Sequence, residues 1–435
     1  MNFQIHTFGC KVNTYDSGLI QKNLDQNAKA VSSEHPVHVL NTCAVTAEAT
    51  KEALRKIRRL KVHDPLCTVV VTGCAAQVDT GSFENLPGAD LVVANSHKGL
   101  LPQIVEQYFK GNKEQRVFKS NIFQKEDLEA GGGVEKSHTR SFLKIQDGCN
   151  AFCTYCIIPF ARGKSRSIPI LDLVKRVHDL YEQGVREVVL TGVHIGDYED
   201  MSFGKTKKLE DLLETLLLQT KMPRFRLTSL EPVEVTARML ELYKDDRLCA
   251  HFHMSIQSAN SSVLEKMKRQ YSQKEVIESL NNIQMHLPKA FVGMDVITGF
   301  PTETETDFED TYKTLAELPW TRIHVFPYSE RPGTFAARFK ENVYPHVRAE
   351  RAKQLRELSL HRLQSEALKQ QHTNKKVLIL KSSAKGAQGL SRCYWPVQIQ
   401  DSEFVQRHAG QEVEIKVGTY LLPAQKTEGY FLHEH

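Results

Sequence analysis

Asp147-Gly148-Cys149-Asn150-Ala151-Phe152-Cys153-Thr154-Tyr155-Cys156 spaces three cysteines as CxxxCxxC, directly after an apolar run at 142–145 that reads as a strand. No fourth cysteine lies nearby. A tight loop of thiolates can hold an iron–sulfur cubane, and three cysteine ligands would leave one iron open to bind something else. A closed zinc site takes four ligands, so zinc would have to recruit a distant residue such as His138. A Cys153/Cys156 redox pair is the third option, although thioredoxin-like motifs lack another cysteine at this offset.

Outward from this loop, strand candidates recur at 142–145, 187–190, 225–227, 251–255, 291–297 and 323–326, and helical stretches follow the first five. Ile170, Leu173, Val174, Val177, Leu180 and Tyr181 repeat at helical spacing, and residues 305–318 do much the same. Six βα-type units predict an open or partial (β/α)6 barrel over residues 141–371. Upstream, in residues 1–114, short apolar runs at 3–5, 37–40, 68–71 and 90–94 alternate with helical stretches such as 51–61, which predicts a parallel α/β sheet. Residues 115–140, around Gly131, Gly132 and Gly133, hold no sustained period and read as a linker. A long charged helix at 347–370 leads into residues 372–435, whose short runs at 376–381, 395–400, 412–418 and 429–433 predict a small β-barrel. The expected class is α/β in three folded modules.

Three more cysteines stand just beyond strand candidates: Thr7-Phe8-Gly9-Cys10, Leu40-Asn41-Thr42-Cys43 and Val71-Thr72-Gly73-Cys74. Strand ends of a parallel sheet lie together, so three separate turns can converge on one metal there. Each cysteine taken singly also fits a small buried hydrophobe. Cys67, Cys249 and Cys393 share no such placement and read as structural.

The 435 residues carry nine cysteines, 40% hydrophobic and 25% charged residues, and a formal charge of +5. No apolar run approaches the roughly 20 residues that span a bilayer, so no membrane role is expected. The first ten residues, MNFQIHTFGC, lack the features of a secretory signal, which places the chain in the cytoplasm. Cytosolic thiols are kept reduced, so nine cysteines point to metal or redox ligation before disulfides. The net charge is compatible with a nucleic-acid partner without requiring one.

CxxxCxxC after the first strand of a partial barrel resembles the radical S-adenosylmethionine superfamily. Phe8-Gly9-Cys10-Lys11-Val12-Asn13, Asn41-Thr42-Cys43-Ala44 and Thr72-Gly73-Cys74-Ala75 resemble the N-terminal domain of the methylthiotransferase family within it, and the order of three modules, ending in a TRAM-like barrel, is that family's order. Gly9-Cys10-Lys11-Val12-Asn13 and Thr191-Gly192-Val193-His194-Ile195-Gly196-Asp197-Tyr198 look most like the branch that acts on N6-threonylcarbamoyladenosine at position 37 of tRNA.

The resemblance implies two [4Fe-4S] clusters, one on Cys149, Cys153 and Cys156 and one on Cys10, Cys43 and Cys74. At the open iron of the first, S-adenosylmethionine is chelated through its methionine end and split to a 5′-deoxyadenosyl radical. Tyr155 is counted among the cofactor contacts, and the Gly192 turn would meet the methionine amino end. Glu231 and Ser255 follow strand candidates, where they can hydrogen-bond ribose hydroxyls or simply cap strand ends. Arg269 occupies a family position suited to a bidentate grip on the cofactor carboxylate. Thr302 in Gly299-Phe300-Pro301-Thr302-Glu303-Thr304 stands where the family has glycine, and is strained if that turn needs a positive φ.

No catalytic side chain is expected beyond the cluster ligands. The implied reaction is methylthio insertion at adenine C2, with a reducing electron-donor protein and the tRNA anticodon stem-loop as partners and a monomer as the default. The alternatives are the same chemistry on isopentenyladenosine or a ribosomal-protein aspartate, and a non-catalytic metal-cluster protein that binds RNA.

Arg55, Lys56, Arg58, Arg59 and Lys61 crowd the helix after Cys43, and Arg162, Lys164 and Arg166 follow the second cysteine group. Both groups suit RNA phosphates, or a solvated face. The terminal module offers Tyr394, Trp395, Tyr420, Tyr430 and Phe431 for base stacking, less those that fill its core.

Overall fold

The computed structural model describes residues 3–27, 34–126, 128, 139–380, 387–423 and 429–434. His138 and the three consecutive glycines of the expected linker lie outside them.

The N-terminal sheet is parallel throughout, in the order Phe3–Thr7, Val37–Thr42, Thr68–Gly73, Leu91–Ala94, Val117–Phe118. Every residue of Val37–Thr42 and Thr68–Gly73 is buried. That is the pattern of strands covered by helices on both faces, which explains their near-continuous Val and Leu runs. Thr7 pairs with Asn41 and Thr42 with Gly73, so three strands end level and deliver Cys10, Cys43 and Cys74 to one edge. Val117–Phe118, inside the expected linker, is the fifth strand. Two residues are too few to show a period.

Six further parallel strands form two curved sheets, ordered Phe225–Leu227, Glu187–Thr191, Arg140–Lys144 and His251–Gln257, Phe291–Thr298, Arg322–Pro327. Single bridges from Phe225 to Leu248 and from Leu230 to Met254 join them into the expected open barrel. The apolar face of the helix Ile170–Glu182, with Leu173, Val177 and Leu180, packs into the same core as Leu143, Val188 and Leu190 of the strands. Tyr15 of the helix Lys11–Asn27 belongs to that core too, so the N-terminal sheet domain and the barrel are packed as one body.

The helix Pro345–Leu368 runs beside the last barrel strand, where Ser359 Oγ accepts the Ile323 N–H at 2.9 Å and donates to its carbonyl at 3.1 Å. It leads into a closed five-stranded barrel of Asn374–Ile379, Ala387–Ser391, Pro396–Ile399, Tyr430–Glu434 and Glu412–Leu421. Ala387–Ser391 had no strand-like run to announce it. Trp395 and Phe431 fill this barrel's core, so they are not free to stack on bases. Tyr394 lies on His251 of the larger barrel, centroids 4.1 Å apart, and is equally committed.

The small barrel docks through a buried charge cluster invisible in the sequence. Glu187 accepts Arg140 Nε at 2.7 Å, Arg224 Nε at 2.8 Å and Arg226 Nη2 at 3.0 Å, while Arg224 reaches Glu412 at 2.6 Å and the Leu390 carbonyl at 3.0 Å. Burial alone would raise the Glu187 carboxyl, but Arg226, Arg140 and Arg224 outweigh it and hold the group well below its usual range. A carboxylate depressed in the folded state contributes stability in full above its unfolded value, about pH 4.3, and loses it as pH falls toward the folded value. Urea midpoints are therefore expected to fall more steeply below about pH 4 in the wild type than in Glu187→Gln. Equal acid slopes would contradict the assignment. Among the described residues no helix is long and apolar enough to cross a membrane.

Candidate active site

The CxxxCxxC loop follows Arg140–Lys144 and is held at several points. The Cys149 N–H donates to the Gly163 carbonyl at 3.1 Å, the Thr154 N–H to the Met267 carbonyl at 3.1 Å, and the Ala336 N–H to the Thr154 carbonyl at 2.8 Å. Gly148 has φ +77, and a Cβ there would stand 2.0 Å from the Lys164 carbonyl oxygen, so only glycine fits. Burial, with Cys153 and Cys149 beside it, pushes the Cys156 thiol up to about 12. A buried thiol that resists ionising alone is one that a bound cation would satisfy.

Four of the five residues expected at the cofactor meet beside this loop. Arg269 pairs with Glu231 at 2.8 Å and donates to the Cys153 sulfur at 3.1 Å, the Ser255 carbonyl at 2.8 Å and the Tyr155 hydroxyl at 3.5 Å. Arg269 is thus no solvated helix end. Ser255 contributes its carbonyl to this arrangement, where the sequence had pointed to its hydroxyl. Gly192 is tied in through Gln146, whose Oε1 accepts the Val193 and His194 N–H groups at 3.0 Å each and whose amide donates to the Gly148 carbonyl at 2.7 Å. A Cβ on Gly192 would lie 2.8 Å from that oxygen. Gln146 carries no sequence signal beyond standing just before the loop.

His194 was not anticipated as a participant either. Burial alone would lower it, but hydrogen bonds to Asp197, Cys149 and Glu234 hold the imidazolium well above its ordinary value. Cys149, His194 and Asp197 offer ligand atoms within 4.8 Å of one another. Thr302 does take the left-handed φ feared for it, +72, and its buried hydroxyl finds no partner among the described residues.

The N-terminal cysteines come together as their strand ends require. A Cβ on Gly9, φ +90, would fall 2.6 Å from the Cys43 sulfur, so the turn carrying Cys10 lies directly on Cys43. Asn95 Nδ2 stands 3.6 Å from the Cys74 sulfur, while its own Oδ1 is buried without a partner among the described residues. Burial first, then neighbouring Cys74 and, after an opposing Val45 N–H bond, Cys10, raises the Cys43 thiol to about 12. Cys67 is buried in the N-terminal core, Cys249 is buried beside Arg224 and Arg226, and Cys393 is half-buried; all nine cysteines are free thiols.

The two cysteine groups are mechanically linked. Ile157 and Ala161, just after the CxxxCxxC loop, share a core with Cys74 and Ala75, and Asn95 Nδ2 donates to the Ala161 carbonyl at 2.9 Å. Arg162 Nη1 grips both oxygens of Asp147 at 2.8 and 3.0 Å, and its Nη2 donates to Asn13 Oδ1 at 2.6 Å and Asp16 at 3.1 Å. Lys144 bonds Asp16 at 2.7 Å and Asp147 at 2.9 Å, and Lys98 bonds Asp16 at 3.0 Å. Arg162 is buried, so the expectation that it meets phosphates is wrong. Arg166 is half-buried and bonded to the Arg162 carbonyl at 2.8 Å, and Lys61 pairs with Asp90 at 2.8 Å. Arg55, Arg58, Arg59 and Lys164 remain exposed.

Residues 143–315 match the model of the Radical SAM superfamily, and residues 2–94 match the model described as Uncharacterized protein family UPF0004. The chain is 37% identical over 363 residues to the Aquifex aeolicus threonylcarbamoyladenosine tRNA methylthiotransferase MtaB, covering 82% of this chain and 88% of that one. The Bacillus subtilis protein of the same name is 37% identical, covering 81% and 79%. A Staphylococcus epidermidis tRNA-2-methylthio-N(6)-dimethylallyladenosine synthase is 31% identical, covering 81% and 70%. Among solved structures, the radical S-adenosylmethionine methyltransferase TsrM from Kitasatospora setae, with cobalamin and a [4Fe-4S] cluster bound, aligns with a TM-score of 0.50 at 14% identity, over 71% of this chain and 66% of that one, a likeness of fold alone. With two cysteine groups on an α/β sheet and a partial barrel, and relatives alike across most of both chains, the protein belongs to the radical S-adenosylmethionine methylthiotransferase family.

Proposed function

We propose that the protein is a tRNA methylthiotransferase that converts N6-threonylcarbamoyladenosine at position 37, in the anticodon stem-loop, to its 2-methylthio derivative. The observation that carries the reading is the pair of three-cysteine groups packed against one another and bridged by Arg162. Generating a radical needs one such group; inserting sulfur where that radical acts gives the second a purpose. The names of the Aquifex aeolicus and Bacillus subtilis relatives supply the substrate.

The cofactors of the family's chemistry are S-adenosylmethionine and two [4Fe-4S] clusters. Cys149, Cys153 and Cys156 would hold one cluster with an open iron, and Cys10, Cys43 and Cys74 the other. Bound there, they supply a radical able to take hydrogen from adenine C2, a carbon with no acidic hydrogen. Arg269, locked by Glu231 and Tyr271, presents positive charge beside Cys153 and Tyr155. Gln146 fixes the backbone of the Gly192 turn against the loop, so that main chain, not a mobile side chain, faces the cofactor. No general base is assigned. On this reading residues 1–114, 141–371 and 372–435 are the sulfur-carrying, radical-forming and RNA-docking modules, joined by 115–140 and working as a monomer in the cytoplasm with a protein electron donor.

The test is an anaerobic preparation assayed for iron, sulfide, 5′-deoxyadenosine and the modified nucleoside. About eight irons per chain are expected, falling to about four in either triple-alanine variant. The Cys149/Cys153/Cys156 variant should make neither product, whereas Cys43→Ala should still make deoxyadenosine and no methylthio nucleoside. Zinc in place of iron, or no deoxyadenosine from the iron-loaded wild type, would overturn the reading. A 2-methylthio product from dimethylallyladenosine alone would keep the chemistry and change the substrate.

A further inference from the structure

Lys11 directly follows Cys10 and opens the helix Lys11–Asn27, which packs on the barrel through Tyr15 and through Asp16, bonded to Lys144 at 2.7 Å. Lys144 belongs to Arg140–Lys144, the free edge of one barrel sheet, so the N-terminal module meets the barrel on its open side. Met254, Met294 and Ile323 join the core between strands and helices, so His253, Ser255, Asp295 and His324, each one position away, face inward. His253 Nε2 lies 3.0 Å from Asp295 Oδ2, and its ring centroid 5.5 Å from that of His324. Two residues on, Ser255 meets Arg269 at the cofactor end. Two residues back, His251 is stacked by Tyr394, whose ring also lies 4.9 Å from the Arg226 guanidinium. The barrel therefore encloses a polar chamber, with the cofactor residues at one end and Tyr394 at the other.

Lys11 reaches into this chamber, because the groups whose charges act on its ammonium are Tyr394, Arg140, Arg226 and Asp295, from four segments around it. It is half-buried, and its ammonium makes no ion pair or hydrogen bond among the described residues. Its neighbours are already engaged: Asp295 by His253, and Arg140 and Arg226 by Glu187. A cation drawn partly out of water and left unpaired is costly until an anion joins it. We propose that Lys11 selects the substrate, its ammonium pairing with the carboxylate of the threonylcarbamoyl group on the target adenosine. The inference rests on the tRNA substrate proposed above. Since Lys11 adjoins Cys10, the same contact holds the modified nucleoside next to the cysteine group assigned to carry sulfur. It also rejects a neutral dimethylallyl group, which would strip water from the ammonium and give nothing in return. A backbone phosphate is the other anion of RNA, and the chamber, walled by barrel strands on its inner face, favours a flipped nucleoside over the chain that carries it.

The experiment uses the iron-loaded full chain and three anticodon stem-loop RNAs that differ only at position 37: N6-threonylcarbamoyladenosine, the same nucleoside with its carboxylate replaced by a carboxamide, and plain adenosine. Affinity is measured by fluorescence anisotropy for the wild type, Lys11→Gln and Lys11→Arg, with iron counted in each. The wild type should bind the carboxylate RNA about 30-fold more tightly than the carboxamide RNA, the worth of a hydrogen bond to a charged group. In Lys11→Gln that ratio should collapse to within about threefold, and Lys11→Arg, which keeps the charge, should retain most of it. A Lys11→Gln protein that keeps the wild-type ratio overturns the assignment. So does one that loses affinity equally for all three RNAs, with or without iron, which would make Lys11 structural or a phosphate contact. A wild type that binds carboxylate and carboxamide alike, yet both more tightly than adenosine, overturns carboxylate selection and leaves the substrate standing. A wild type that binds the carboxylate RNA no better than adenosine and forms no methylthio product from it overturns the proposed substrate itself.

Discussion

Arg162→Leu is expected to lose about 3 kcal/mol of stability, the low end of the cost of removing one partner from a buried ion pair, because Lys144 and Lys98 still face the stranded carboxylates. Asp16 and Asp147 oppose Lys98, Lys144 and Arg162, which leaves one positive charge in excess inside the network. Burial alone would lower Arg162, but Asp147 first, then the neighbouring Cys74, Asp16 and Cys10, hold it well above its ordinary value. The leucine variant should therefore also load less iron at the N-terminal group than at Cys149, Cys153 and Cys156. Arg162→Lys should recover part of the stability and little of the geometry, since an ammonium cannot bond Asp147 twice while reaching Asn13. Urea midpoints and iron counts check this. A loss under 1 kcal/mol with full iron would remove Arg162 from its bridging role.

Gly148→Ala should abolish deoxyadenosine formation and release about four of eight irons. Two costs combine: the left-handed backbone is worth roughly 1–2 kcal/mol against any residue with a Cβ, and the new carbon meets the Lys164 carbonyl oxygen at 2.0 Å, which the chain can relieve only by moving the cysteine loop. Gly184 separates the two effects. It has φ +87 with nothing within 4 Å of its would-be Cβ, so Gly184→Ala should pay the backbone cost alone and keep its iron. Equal behaviour of the two variants, read by iron content and deoxyadenosine yield, would show that the close approach at Gly148 is not what shapes the loop.

The elements that reading the chain located best are those whose signal is local. Strands such as Thr68–Gly73 and Glu187–Thr191 centre on runs of three apolar residues because both faces are covered, and helices such as Ile170–Glu182 show their period because one face is buried. CxxxCxxC is legible because its three thiols must share one tight loop, and Cys10, Cys43 and Cys74 are legible because each follows a strand. Short pieces escaped: Val117–Phe118 has too few residues for a pattern, and Ala387–Ser391 too little alternation.

Charge misled most. Arg162 stands in a basic stretch and reads as a phosphate contact, yet its partners Asn13 and Asp16 are 149 and 146 residues away. Glu187 and Arg224 likewise become a docking cluster only when Glu412, 188 residues beyond Arg224, is folded against them. Backbone periodicity and cysteine spacing are set by neighbours along the chain and can be read from it. Whether a charge ends in water or in a buried pair is decided by desolvation and by partners from distant segments, and only the packed structure brings those together.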